Sequence, residues 1–204
     1  MPKVRFYSLW IALILITVFS IQYLIPETTD LLILNNKSYT EPWRFLTSIF
    51  LHGSFSHLLS NLFALIFFGF ILEKITGSNK FLGIYLISGM LANMVAINFY
   101  PNSLGASGAI MGIIGALTII RPLMSVWAFG MVIPMFIAAI IWILIDTIGI
   151  FIPSNIGHIA HLSGILFGAV FGILYRINKE KEKKKHKIEI PEHLLRKWET
   201  LYIE

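Results

Sequence analysis

Five long stretches of this chain carry no charge, and that restricts the fold more than any motif does. They are Phe6–Pro26, Phe45–Leu72, Phe81–Ile120, Pro122–Ile145 and Thr147–Tyr175. About 20 apolar residues cross a bilayer core. The forty-residue run is long enough for two crossings around Pro101, so six spans are expected, at about 6–25, 57–75, 81–99, 106–120, 126–150 and 157–175. Only 13% of the residues are charged, where a soluble domain carries about a quarter. The reading is an all-α membrane protein: a bundle of six transmembrane helices over residues 1–176, followed by a basic tail at 177–204. There is no cysteine, which excludes disulfides and thiolate metal sites.

The first run is kept as a span because a signal peptide has a shorter apolar core and a small-residue cleavage site. Almost nothing precedes it, so no accessory N-terminal domain is expected. Residues 26–56 form a long loop holding Lys37, Glu41, Trp43 and Arg44, a composition suited to lying in the membrane interface. Lys3, Arg5, Lys74, Lys80, Arg121 and the tail fall on one side of the six spans. The positive-inside rule then puts both termini in the cytoplasm of a multi-pass cell-membrane protein. Nine of the sixteen Lys and Arg residues lie at or after Arg176, so the net charge of +5 mostly reflects the tail. It marks a membrane-flanking segment and not a nucleic-acid partner. The tail turns amphipathic at its end, with Leu194, Leu195, Trp198, Leu201 and Tyr202 at helical spacing.

This orientation places the starts of the fourth and sixth spans at the outer face, and each start carries one reactive side chain. Ser107 sits between Gly105 and Gly108, and His161 is followed by Gly164, Gly168 and Gly172. Faces lined by small residues let helices approach closely in lipid. Ser107 and His161 could thus form an activated nucleophile–base pair. The blander alternative is a small helix-start serine and a histidine at the interface. His57 and Asn61, four apart near the outer end of the second span, could donate hydrogen bonds to an oxyanion together with the Ser107 N–H. Equally, Asn61 could bond another helix while His52 and His57 sit in the interface. Glu73 is read as structural. Asp146 is the one carboxylate that might orient His161, but it is expected well below it on another span, which favours a dyad over a triad. His158 and His161 are three apart, yet the spans hold only Asp146 and Glu73 as acids and no His-Glu-x-x-His motif. No metal and no cofactor are expected.

Glu41-Pro42-Trp43-Arg44, the spacing Trp43…His52…His57…Asn61, Glu73-Lys74 with Gly77, Gly105-Ala106-Ser107-Gly108 and Ala160-His161-Leu162-Ser163-Gly164 together resemble the rhomboid family of intramembrane serine proteases. The likeness is to the prokaryotic, six-span core type and covers about residues 40–175. It implies a Ser107–His161 dyad opening to a water-filled cavity on the outer face, with His57 and Asn61 at the oxyanion site. It also implies that His52 supports the site and that Trp43 and Arg44 anchor the first loop in the interface. Substrates would be membrane-spanning proteins, cut near one end of their span after entering laterally past the second and fifth spans. Many bacterial members carry an aromatic ring one turn after the serine, where this chain has Met111, so a looser His161 is expected. The rival readings are a catalytically inactive rhomboid-like adaptor or chaperone, which would need neither Ser107 nor His161, and a small-molecule transporter, which would show internal repeats.

Overall fold

The computed structural model describes residues 2–185 and 192–203. The chain divides into two compact units, Met1–Ile173 and Leu174–Glu204. The first is a helical membrane bundle. Its longer helices are α1 (Tyr7–Leu24), α2 (Phe55–Thr76), α3 (Ser78–Ala96), α4 (Ser107–Ile120), α5 (Met135–Gly149) and the first part of α6, which starts at His158 and runs on past Ile173 to Lys185. By length and composition α1, α2 and α6 can each cross a bilayer, while α4 and α5 are shorter apolar helices. The second unit contains α7 (Glu192–Tyr202), where the apolar spacing of the tail predicts a helix. Residues 186–191 of the tail lie outside the described residues.

α4 is the central helix. Nine of its fourteen residues are buried, as expected of a helix that is apolar all round. Glycines bring α6 directly onto it. A Cβ added at Gly164 would collide with the Gly108 carbonyl, one at Gly168 with the Gly112 carbonyl, and one at Gly115 with the Ile165 carbonyl. Backbone thus meets backbone along the contact, and a larger side chain would prise it apart.

Helix ends in a membrane need partners for their free N–H groups. At α1 the buried Glu73 carboxylate provides them, accepting from Tyr7 N at 2.8 Å, from Ser8 N and Ser8 Oγ at 2.9 Å each, and from Ser78 Oγ at 2.6 Å. A negative charge there also complements the helix dipole. Gly77, with φ +84°, makes the tight turn between α2 and α3.

Two features differ from the expectation. The fifth span does not begin near Val126: a β-hairpin, β3 (Ser125–Ala128) paired with β4 (Met131–Pro134), comes first, and α5 starts only at Met135. Its two turn residues, Phe129 and Gly130, both have positive φ, 53° and 79°, as a two-residue hairpin turn requires. An apolar run reads alike as helix or strand, so hydropathy does not reveal this. Arg44 does not anchor the first loop in the interface either. It is 2% exposed, pairs with Glu41, and donates from Nη1 to the carbonyls of Asp30 at 2.7 Å and Ile33 at 3.0 Å. A fork of donors satisfies the free carbonyls at the end of the short helix Glu27–Leu32. Trp43, half exposed, faces outward from the loop, as does Tyr39.

Candidate active site

A short ladder pairs Leu34–Asn35 with Asn102–Ser103 and ties the first loop to the segment that leads into α4. Gly105 N–H then donates to the Ser48 carbonyl at 2.9 Å. The Asn93 side chain of α3 holds the same stretch, donating to Phe45 O at 2.8 Å and Ser48 Oγ at 2.9 Å. Gly105 has φ +125°, and a Cβ there would lie 2.7 Å from Cε1 and 2.9 Å from Nε2 of His57. Both the turn and the ring above it require glycine. Ser107 follows as the first residue of α4, where the leading N–H groups have no intrahelical acceptor.

His57 therefore lies over the approach to Ser107. Asn61, one turn further along α2 and buried, donates one amide N–H to the His57 carbonyl at 2.9 Å. That bond is within its own helix, unlike the cross-helix bond considered from sequence, and the amide keeps a second N–H. His52 is buried with its ring edge-on to His57, centroids 5.0 Å apart, and among the described residues neither of its ring nitrogens has a well-formed hydrogen bond. Burial and the neighbouring His57 push its pKa down to about 4, so His52 is a neutral packing partner for the His57 ring.

At the start of α6, Ile159 N–H donates to the Tyr100 hydroxyl at 3.1 Å. The Gly164–Gly108 contact lies one turn below His161 and one residue after Ser107, so both reactive side chains belong to the same end of one backbone-to-backbone contact. No hydrogen bond joins Ser107 to His161 among the described residues. Such bonds are often long in ligand-free sites and tighten when substrate binds.

Asp146 is not well below His161. Its Oδ1 lies 3.0 Å from His161 Nδ1 and 2.7 Å from His158 Nδ1, with the carboxylate 4% exposed. α5 and α6 are consecutive and joined by a short loop, so the last turn of one meets the first turn of the next. Gly149, one turn after Asp146, makes room for this. A Cβ there would lie 2.6 Å from His158 Nδ1. Asp146, His158 and His161 are also the group among the described residues whose ligand atoms, all within 4.8 Å of one another, could hold a metal ion.

The matching family model is the Rhomboid domain, over residues 39–178, more than half of the chain. The chain belongs to the rhomboid family. Among curated relatives this rhomboid is 38% identical over 133 residues to "Rhomboid protease GluP" of Bacillus subtilis, covering 63% of the chain and 25% of that protein. It is 32% identical over 148 residues to "Putative rhomboid protease YdcA" of the same organism, covering 69% of the chain and 71% of that protein. It is 31% identical over 136 residues to "RHOMBOID-like protein 6, mitochondrial" of Arabidopsis thaliana, covering 66% and 44%. The match thus spans less than half the length of the plant relative and about a quarter of GluP.

Three contributors to this rhomboid's candidate site were misplaced or missed in the sequence reading. For Asp146 a signal did exist: it stands four residues before the expected end of the fifth span, on the side where the sixth begins. His158 was legible only as a metal candidate. Gly149 carried no signal, because its role depends on which ring lies against it.

Proposed function

We propose that this rhomboid is an intramembrane serine endopeptidase that hydrolyses peptide bonds in or near the spans of other membrane proteins. The single observation behind the proposal is that Ser107 and His161 stand at the same end of the glycine-to-carbonyl contact between α4 and α6. Acyl transfer would proceed by attack of Ser107 Oγ on the peptide carbonyl, its proton passing to His161 Nε2. The N–H groups of the first turn of α4, the His57 ring and the free N–H of Asn61 would meet the developing oxyanion. His161 would return its proton to the leaving amine, then deprotonate the water that breaks the acyl-enzyme. The excess of Lys and Arg on one side supports cytoplasmic termini and a site toward the outer face.

The test uses purified protein in detergent with a single-span reporter, beside labelling of Ser107 by a fluorophosphonate. Ser107→Ala and His161→Ala should each abolish cleavage in folded protein, and the double variant should be no worse, since the pair acts as a unit. Substantial cleavage by Ser107→Ala would refute the proposal. An inactive adaptor would neither cleave nor label.

A further inference from the structure

The carboxylate of Asp146 is buried at the end of α5 with two imidazoles on a single oxygen. We infer that Asp146 is a positioning residue for His161, so that the pair assigned above becomes a Ser–His–Asp triad whose carboxylate is shared with His158. The inference rests on the proposed function of Ser107 and His161.

A carboxylate only accepts hydrogen bonds, so both Nδ1 atoms carry the donated protons, and in the neutral form of either ring Nε2 is the bare nitrogen. The surroundings agree. His158 Nε2 lies 3.0 Å from Ser154 Oγ, whose hydroxyl can donate to a bare nitrogen. The chain of donors therefore runs from Ser154 to His158 to Asp146, and from His161 to Asp146. Asp146 thus selects the one tautomer of His161 that can take the serine proton. It also fixes the ring plane, and it holds a negative charge 3.0 Å from the imidazolium that forms on proton transfer. Removing that charge makes the imidazolium harder to form.

A merely structural link between α5 and α6 would need hydrogen bonds but no charge, and an unpaired carboxylate at this depth would be costly. His158 shows how closely the group is built: it reaches Asp146 only because Gly149 leaves space for its ring. The titratable groups around His161 are Asp146 from α5, His158 on its own helix with ring centroids 6.3 Å apart, and His57 from α2 with His52 behind it.

The test is the pH profile of kcat/KM for wild type and Asp146→Asn, with melting temperatures measured alongside. Asparagine is close in shape but carries no charge and can hold the ring in the wrong tautomer. In a serine protease triad that exchange costs about ten-thousandfold, and here a loss of about a hundredfold to ten-thousandfold is expected at neutral pH. The acid limb of the profile should also move to lower pH. A rate within about threefold of wild type, or a loss with the acid limb unmoved, would overturn the inference. Should Asp146→Asn fail to fold, nitrogen-15 histidine NMR of the wild-type protein decides: the His161 proton must sit on Nδ1 at neutral pH, and a proton on Nε2 overturns the assignment. If Ser107→Ala is inert while Asp146→Asn cleaves like wild type, only this inference fails. If Ser107→Ala still cleaves, the underlying function fails instead.

Discussion

Replacing Gly164 by alanine adds one carbon where α6 rests on α4, one turn below His161. That carbon would lie 3.1 Å from the Gly108 carbonyl carbon and 3.2 Å from Met111 Cβ, with the Gly108 oxygen nearer still. Comfortable carbon–carbon contacts begin at about 3.5 Å, so the helices must part by about 0.5–1 Å. A displacement of about 1 Å between reacting groups costs roughly a hundredfold in rate. Gly164→Ala should therefore lower kcat/KM by about tenfold to a hundredfold although no chemical group is lost, and Gly164→Val should do worse. At Gly172 the overlap is smaller, 2.8 Å to Ile119 Cβ and 2.9 Å to the Ala116 oxygen, and it lies over two turns deeper. Gly172→Ala should lower stability by about 1–3 kcal/mol with a smaller effect on rate. Gly83, where an added Cβ meets nothing within 4 Å, provides the control. The assay is reporter cleavage and thermal melting of Gly164→Ala, Gly164→Val, Gly172→Ala and Gly83→Ala in one detergent. Wild-type cleavage by Gly164→Ala, or an equal rate loss at Gly172, would refute the argument that this contact sets the distance from Ser107 to His161.

Two further outcomes follow from the loop and from α2. Asn61→Ala removes a proposed oxyanion donor and should slow turnover by roughly a hundred- to a thousandfold while the serine still labels; an unchanged rate would leave the amide with only its bond to the His57 carbonyl. His52, held at a pKa of about 4 against an ordinary value of about 6.5, binds fewer protons folded than unfolded between those values. Its contribution should be complete above about pH 6.5 and lost progressively as pH falls toward 4, and His52→Phe should flatten that part of the stability–pH curve. Identical slopes in the two proteins would show that the ring does not titrate on unfolding.

Much of the candidate site is legible because it depends on local pattern. Charge-free runs mark the helices, since charged side chains are costly in hydrocarbon. Ser107 and His161 sit at helix starts on one side of the alternating spans. Glycines three and four apart describe a face on one helix, and the structure matches the face with Gly108, Gly112 and Ala116 to that with Gly164, Gly168 and Gly172. What stayed hidden depends on where turns and helix ends fall and on which groups they then bring together. Whether Ser125–Pro134 is helix or hairpin depends on the turn at Phe129 and Gly130, not on hydropathy. Arg44 turned inward because carbonyls of Asp30 and Ile33 lacked donors, a demand that exists only once the first loop has folded. Asp146 joined the histidines because α5 ends one turn after it and α6 begins at His158. Hydropathy locates a span but not its last turn, and a hydrogen bond at 3.0 Å is decided by that last turn.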